Sequence, residues 1–390
     1  MSTEVHGAVA PGFERVRDEF AANFSEHGDV GAACCVYRGG DAVVDVWAGL
    51  ADPAATQPWS RDTIVIVFSC TKGVTAVAAN QLIERGLLDP DAPVSEYWPE
   101  FAQQGKGAIP VAWVLSHRAG LAAIDDPNLT LDDVAAWHPV VEAIAAQAPN
   151  WEPGTTHGYH ARTYGWMTGE LIRRVTGLMP GAYVAQEIAG PLDLDFVIGV
   201  PEAWESRVAR LLPPAYDDPE LERLVHEALR DPSTMLGRVM GGPSGLFGYD
   251  DMWNTRQMRG AQLPSSNGHG DAHSLARMYA ACLGDVDGVR LLAPDTVTRA
   301  TEVRSSGTDC VIGQPLSFGL GFALAPTYGP VPGPRTFGHS GAGGSVAFAD
   351  PDAGLCFAYV MNQMRLSMSE QDPRGQRLID AAYASLAAVA

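Results

Sequence analysis

The spacing of apolar and polar residues changes several times along the first part of the chain. Apolar side chains at helical spacing predict an amphipathic helix over residues 11–25. Two runs rich in β-forming residues follow, at 31–37 and 42–48, and the "RGGD" between them is typical of a hairpin turn. A third apolar run, 63–68, leads directly into Ser69.

The rest of the chain divides into a helical middle and a strand-rich end. The spacing predicts a helix over 73–88, and from 90 to about 235 short helical patterns are broken by Pro and Gly. A further helix is predicted to start within 268–284. After residue 316 strand patterns return in "LSFGLGFAL", "RTFGHSG", "GSVAFADP" and "GLCFAYVMN", and 370–388 is helical again.

This order of elements predicts an α+β fold, built as an α/β sandwich. We expect one antiparallel sheet made from both chain ends and flanked by helices, with an inserted region that is mainly helical. Residues 1–88 and 240–390 are expected to form the α/β domain, and residues 89–239 the helical domain. The active site is expected in the cleft between them.

Composition and charge argue against several classes of function. The chain has 26 Lys and Arg against 46 Asp and Glu, a net charge of −20, which disfavours nucleic acid and anionic membranes as partners. Six cysteines without CxxC spacing do not indicate a disulfide framework or a zinc ribbon. The charged N-terminal segment lacks the apolar core of a signal peptide, and no run of 18 apolar residues occurs. We therefore expect a cytoplasmic protein; its oligomeric state is not predicted.

The most reactive-looking stretch is "IVFSCTKGV", which holds Ser69 and Lys72. At i and i+3 near a helix start, the hydroxyl and the amine share one face, and the positive end of the helix dipole favours a developing oxyanion. A lysine between apolar neighbours loses its proton more easily, so it could accept the serine proton. The alternative is a serine that caps the helix beside a solvated lysine.

A serine nucleophile also needs a second proton carrier and an oxyanion site. The segment 152–177 places Tyr159 and Tyr164 before a predicted helix at 165–176. We expect a tyrosine beside a cationic lysine to have a lowered pKa and to carry a proton, with ordinary packing of both rings as the alternative. The segment 337–351, "FGHSGAGGSVAFADP", is a glycine-rich strand start whose edge offers N–H groups to a carbonyl oxygen.

Two other patterns do not predict reactive sites. "GHSGA" nearly matches the nucleophile elbow G-x-S-x-G, but it ends in Ala342 and precedes a strand-like run, so Ser340 is rejected as the nucleophile. The histidines lack HExxH or similar spacing, which favours hydrogen-bonded polar residues, and no metal or cofactor site is predicted. They are His117, His138, His157, His160, His269, His273 and His339.

These segments, in this order, resemble the serine β-lactamase and penicillin-binding-protein superfamily, which carries S-x-x-K, a Y-x-N or S-x-N element and a K-T-G-like triplet. "WVLSHRAGL" and "FGLGF" look like its class C branch and the related esterases. The resemblance runs from about residue 12 to the C-terminus and implies the β-lactamase/transpeptidase fold. It implies Ser69 as the acylated serine, Lys72 as its base and Tyr159 as the second proton carrier.

The resemblance also assigns the binding elements. It implies a substrate-binding strand triplet at His339, Ser340 and Gly341, and an oxyanion hole made by the backbone N–H groups of Ser69 and Ala342. Two departures weaken recognition of penicillin-like acids. The second element reads Tyr-His-Ala and lacks the asparagine, and the triplet has histidine in place of lysine, which pairs less strongly with a carboxylate.

These departures resemble the β-lactamase-fold carboxylesterases of family VIII. The expected function is a serine hydrolase that cleaves small-molecule carboxylic esters without a cofactor. An amidase, a weak β-lactamase or an acyltransferase with the same acyl-serine is the alternative, and a non-catalytic sensor domain is a third reading. Tryptophans near the helical region are candidates to line an apolar pocket, although core packing is their default role. They are Trp113, Trp137, Trp151, Trp166 and Trp253.

Overall fold

One large antiparallel sheet organises the molecule. The computed structural model describes residues 3–216, 219–325, 333–366 and 372–389. Within them, ten strands from the two ends of the chain form this sheet. The α+β fold predicted from the sequence is confirmed, while the boundaries of the two domains stay a prediction.

The strands of the large sheet are β1 Val5–Val9, β2 Gly31–Arg38, β3 Asp41–Asp52, β4 Gln57–Pro58, β9 Ser305–Thr308, β10 Pro315–Phe318, β11 Ala323–Leu324, β12 Phe337–Ser340, β13 Val346–Asp350 and β14 Leu355–Met361. The remaining strands are β5 Val65–Ile66, β6 Phe196–Ile198, β7 Leu212–Ala215, β8 Gly268–Gly270 and β15 Gln363–Arg365. The α-helices are α1 Glu14–Glu26, α2 Cys70–Glu84, α3 Val94–Tyr97, α4 Val111–Leu115, α5 Leu131–Ala136, α6 His138–Ala146, α7 Thr163–Thr176, α8 Pro180–Val184, α9 Gly190–Leu192, α10 Pro219–Arg230, α11 Met235–Gly241, α12 Arg256–Gly260, α13 Ala272–Leu283, α14 Pro294–Ala300 and α15 Pro373–Ala388.

The order of strands joins the two chain ends at the centre of the sheet. It runs β1-β3-β2-β14-β13-β12-β11-β10-β9, with β4 beside β3. Strands β2 and β14 pair in antiparallel register from Arg38 opposite Leu355 to Ala32 opposite Met361. The sheet is therefore closed by contacts between segments that are distant in sequence.

Helices cover both faces of this sheet, because buried strand residues alternate between the two sides. Cys34 lies in the apolar core shared with α1 and α15, whereas its neighbour Cys35 lies in the larger core that includes α2 and α13. Both cysteine side chains are fully buried. The helix α13 begins in the predicted cap region, where the Asp271 side chain accepts a hydrogen bond from the Ser274 N–H at 2.6 Å.

Two local details go beyond what the sequence pattern predicts. The run 63–68 contributes only β5, which pairs with β8 in a separate small sheet. The extended chain is interrupted just before Ser69, where Phe68 has a φ of +42°. The middle of the chain is mainly helical but also contains β6 and β7. Within the described part of the chain, every helix is too short or too polar to span a bilayer.

Candidate active site

Ser69 lies between the positive-φ residue Phe68 and the first turn of α2, and its side chain makes no capping hydrogen bond. Its Oγ instead lies 3.0 Å from the Lys72 Nζ and 2.8 Å from the Tyr159 hydroxyl. Ser69 occupies the N-cap position of α2, but its side chain does not cap the helix and contacts Lys72 and Tyr159 instead. The structure brings together three residues that the sequence singled out.

Lys72 is fully buried, so it is not the solvated lysine of the alternative interpretation. Besides Ser69, its Nζ donates to the carbonyl oxygens of Ala161 at 2.7 Å and Ser265 at 2.9 Å. No described carboxylate forms an ion pair with it. Burial, and then the positive charge of Arg162, hold the pKa of Lys72 well below its usual value. A neutral amine can accept the Ser69 proton.

The Tyr159 ring is held by contacts with two other rings and with Lys72. The ring stacks on Phe318 at 6.2 Å, contacts His117 at 5.1 Å, and lies 4.9 Å from the Lys72 Nζ. The expectation of a lowered pKa is wrong: burial raises the pKa of Tyr159 above its ordinary value, and the hydrogen bond to Ser69 opposes this only in part. Tyr159 is therefore a protonated phenol that donates to Ser69.

Two buried histidines fix the loop that carries Tyr159. The His160 Nδ1–H donates to the Gly158 carbonyl at 2.6 Å, and its Nε2 accepts from the Leu121 N–H at 3.0 Å. The His160 backbone N–H donates to His117 Nδ1 at 3.0 Å. Burial lowers the pKa of His160 to about 4, so it acts as a neutral donor and acceptor. These are the hydrogen-bonded histidines that the sequence predicts, here with a role in positioning the loop.

The strand triplet approaches Ser69 through the backbone. Strand β12 ends at Ser340, so Gly341 lies just beyond it. A Cβ on Gly341 would lie 2.3 Å from the Val67 carbonyl oxygen, and the Cys70 thiol donates to the His339 carbonyl at 3.2 Å. Only glycine permits this close approach between the strand end and the start of α2.

The predicted oxyanion donors have no competing partners. In the described ranges, the backbone N–H groups of Ser69 and Ala342 donate to no protein acceptor, whereas the neighbouring Gly341 N–H donates to the Ser345 carbonyl at 2.7 Å. Unpaired N–H groups beside a nucleophile can bind a developing oxyanion.

The His339 side chain is buried and uncharged. Its Nδ1–H donates to the Ser340 carbonyl at 2.7 Å, and its ring lies 5.9 Å from that of Tyr159. Burial and the neighbouring Lys72 lower the pKa of His339 to about 3. Its Nε2 has no hydrogen-bond partner in the described protein. Because the ring is neutral, it offers no positive charge to pair with a substrate carboxylate. The Ser340 side chain is half-buried.

None of the five tryptophans lines the described pocket next to Phe68. This small pocket has His226, Leu229, Arg230, Met240, Phe247, Gly248 and Tyr249 in its wall. Its Tyr249 packs edge-on against Phe68 at 5.7 Å. Trp137, Trp166 and Trp253 belong to the core instead. Trp113 and Trp151 are partly buried against the core.

A second polar group lies away from Ser69, on the face of the sheet covered by α13. The ligand atoms of Cys35, Asp45 and His273 lie within 4.8 Å of one another. In the structure His273 lies 3.1 Å from Asp45 and 3.2 Å from the Tyr37 hydroxyl, and Arg61 lies 3.4 Å from Asp45. Each polar atom of His273 thus already has a protein partner, in keeping with the hydrogen-bonded histidine that the sequence predicts.

Sequence reasoning missed two residues that contact the Lys72 environment. Ser265 supplies a backbone carbonyl, which no side-chain pattern reveals. Arg162 lies inside the segment 152–177. A basic residue between two apolar stretches was the sequence feature that could have indicated a buried charge there. Its side chain is buried, and its positive charge is the second cause of the lowered pKa of Lys72.

Comparison with known proteins places this geometry in a family. Residues 18–381 match the sequence profile of the Beta-lactamase family. The chain is 36% identical to "Esterase/beta-lactamase LipL" of Mycobacterium tuberculosis, over 95% of this chain and 86% of the relative. A solved family VIII carboxylesterase is 37% identical with a TM-score of 0.87, over 98% of this chain and 100% of its own. EstA from Arthrobacter nitroguajacolicus is 33% identical with a TM-score of 0.88, and each chain is covered over 100% of its length.

The resemblance noted from the sequence is thus confirmed, together with the fold it implies. The chain belongs to the Beta-lactamase family, as an esterase/β-lactamase-fold hydrolase.

Proposed function

We propose that this chain is a serine carboxylesterase that forms an acyl-enzyme on Ser69. The observation that carries the proposal is the position of the Ser69 Oγ, 3.0 Å from a buried lysine amine and 2.8 Å from a buried phenol. Both distances are within the range for proton transfer. The similarity to family VIII carboxylesterases supports the same chemistry.

In the proposed acylation step, the neutral Lys72 amine takes the proton of the Ser69 hydroxyl while Oγ bonds to the ester carbonyl carbon. The carbonyl electron pair moves to oxygen, and the amides of Ser69 and Ala342 stabilise the oxyanion. As the carbon–alkoxide bond breaks, Tyr159 gives its proton to the leaving oxygen, and the lysine ammonium restores it.

In the proposed deacylation step, water attacks the acyl-serine carbonyl and gives a proton to Lys72. The tetrahedral intermediate then releases the carboxylic acid, and the Ser69 oxygen recovers its proton. The same groups thus act in both half-reactions, and no atom outside the substrate and water is consumed.

The charges of the site favour uncharged esters over penicillin-like acids. A cation in the strand triplet would pair with a substrate carboxylate, but His339 is neutral because burial lowers its pKa to about 3. Ala161 stands where the related β-lactamases carry an asparagine, and its methyl side chain cannot hydrogen-bond the side-chain amide of a lactam. Both features support hydrolysis of esters of small acids.

Labelling and turnover test this proposal together. Ser69→Ala is expected to abolish hydrolysis of p-nitrophenyl esters and to remove the mass adduct left by a serine-directed phosphonate. The exposed Ser206→Ala is the matched control and is expected to keep both. Ester turnover by Ser69→Ala at the wild-type rate would contradict the proposal.

A substrate panel separates the ester activity from the alternatives. Wild type is assayed on p-nitrophenyl acetate and butyrate, on nitrocefin, on short amides, and on the esters with an added alcohol as acceptor. We expect the esters to give the highest kcat/KM. Faster turnover of amides or nitrocefin would assign the acyl-serine to an amidase or a β-lactamase instead, and preferential transfer to the alcohol to an acyltransferase.

A further inference from the structure

Arg162 is a buried cation without a carboxylate partner in the described part of the chain. Its side chain is 6% exposed, and its guanidinium lies 4.2 Å from the Phe247 ring and 5.3 Å from the Trp253 ring. It donates to the Met240 carbonyl at 3.0 Å and to Ser266 Oγ at 3.4 Å. All of these partners are neutral, so the positive charge is not compensated locally. Burying a charge without a partner lowers the free energy of unfolding, so we expect such a residue to have a functional role.

The same residue is connected to both carbonyl acceptors of Lys72. One acceptor is the carbonyl of Ala161, the residue immediately before Arg162 in the chain. The other is the carbonyl of Ser265, whose hydroxyl donates to the Arg162 backbone carbonyl at 2.9 Å. The Arg162 guanidinium also holds the adjacent Ser266. Its backbone and side chain thus fix the turn at 265–266 against the loop that ends in Ala161.

We propose that Arg162 is a positioning residue for the catalytic amine: it fixes the two carbonyls that hold Lys72, and it adds a buried positive charge without a carboxylate partner to the same turn. The inference rests on the proposed role of Lys72 as the base for Ser69. A lysine whose ammonium lies beside a second buried cation loses its proton at a lower pH than it otherwise would.

Arg162 is the main source of charge near Lys72, because the other titratable groups around the lysine are neutral. Burial raises the pKa of the surrounding thiol and phenols and lowers the pKa of the imidazoles, so that each is neutral near pH 7. These groups are Cys70, His117, Tyr159, His160, Tyr249 and His339. Burial is the larger cause of the lowered pKa of Lys72, and Arg162 is the next.

The pH profile of the reaction tests this role. The neutral amine is the active form, so activity rises with pH as Lys72 loses its proton. Without the Arg162 cation, the lysine keeps its proton to a higher pH. We expect the acidic limb of kcat/KM in Arg162→Leu to move to higher pH, with about tenfold more loss at pH 6 than on the alkaline plateau. Arg162→Lys keeps a cation and is expected to move the limb back toward wild type.

Several results would overturn the inference. One is an equal loss at every pH with the limb unmoved, which a purely structural role would give. Another is failure of Arg162→Lys to restore the limb. A third is a rise in KM confined to esters that carry a carboxylate, which would make Arg162 a substrate clamp. If Arg162→Leu does not fold by circular dichroism, Arg162→Gln provides the same comparison.

Phosphonate labelling keeps the two proposals distinguishable. If wild type is not labelled on Ser69 at any pH, the proposed function itself fails. If Ser69 is labelled but the pH dependence of the labelling rate is the same in wild type and in the Arg162 variants, only the role of Arg162 fails. The rate of labelling is thus measured across pH 5–10 in wild type and in each folded variant.

Discussion

At the scale of single residues, one environment shifts the pKa values of the two proposed proton carriers in opposite directions. Burial lowers the pKa of the Lys72 amine and raises the pKa of the Tyr159 hydroxyl. Both effects keep the groups neutral, so the lysine can accept a proton while the tyrosine can donate one. Pairs of groups whose pKa values are pushed apart by their surroundings are typical of acid–base assignments in enzymes.

Tyr159→Phe tests the assigned role of the phenol. The ring contacts with Phe318 and His117 remain, but the proton donor is lost, so kcat is expected to fall by roughly 10²- to 10⁴-fold with a small change in KM. Steady-state kinetics on p-nitrophenyl butyrate measures this. The control is Tyr164→Phe, because the hydroxyl of this neighbouring buried tyrosine makes no described hydrogen bond to Ser69 or Lys72. Equal losses in the two variants would contradict the assignment.

The sequence predicts the side chains of the site but not its backbone contacts. Ser69, Lys72 and Tyr159 belong to short motifs in which the residue type carries the chemistry, so spacing and order find them. The pKa of Tyr159 was predicted with the wrong sign, because its burial depends on rings contributed by Phe318 and His117 from elsewhere in the chain. The Ser265 carbonyl leaves no trace in residue type.

At the scale of elements, a buried ionic network attaches α15 to the sheet. Arg374 near the start of α15 lies 2.8 Å from Asp29 and 2.5 Å from Asp372. The Tyr359 hydroxyl on β14 donates to both Asp29 oxygens, at 2.8 and 2.7 Å. Arg374 and Asp29 have fully buried side chains, and burial raises the pKa of Asp29. The network joins a helix, a strand and the loop before β2.

Arg374→Met is expected to lower the free energy of unfolding by about 3–5 kcal/mol, because it leaves the Asp29 carboxylate buried without its cation. Urea unfolding followed by circular dichroism measures this loss. Arg377→Met, in the same helix, is the control: its partners Glu19 and Glu26 are partly exposed, so the loss is expected to be below about 1 kcal/mol. Similar losses in both variants would show that burial is not the cause.

The order of the elements is less predictable than their type. Strand and helix periods are local, and they predict most of the helices and the strands that meet from both chain ends. The partner of each strand depends on long-range packing. The run before Ser69 illustrates this, because β5 pairs with β8 and not with the large sheet. Its two residues are apolar and buried in either arrangement, so the pattern does not distinguish the partners.

At the scale of the whole molecule, several buried imidazoles make stability sensitive to acid. Burial lowers the pKa of His160 to about 4 and of His269 and His339 to about 3. In the unfolded chain these side chains gain a proton near pH 6.5, while in the folded chain they stay neutral. Their contribution to stability is therefore fully present above pH 6.5 and is lost as the pH falls toward 3.

His269→Gln isolates one of these contributions away from Ser69. Between pH 7.5 and pH 5.0, wild type is expected to lose about 2 kcal/mol of unfolding free energy through this histidine, and the variant is expected to lose that much less. Chemical denaturation at both pH values measures the difference. The exposed His138→Gln is the control and is expected to keep the wild-type loss. An unchanged loss in His269→Gln would contradict the prediction.

The pairing of β2 with β14 has a consequence for how the chain is made. The two strands are separated by roughly 300 residues, so at about 5–20 residues per second β2 leaves the ribosome roughly 15–60 s before its partner exists. During that interval the edge of β2 that pairs with β14, which includes the buried residues Cys35 and Val36, lacks its partner strand. Nascent chains of this protein are therefore expected to depend on chaperone protection until synthesis has passed residue 361.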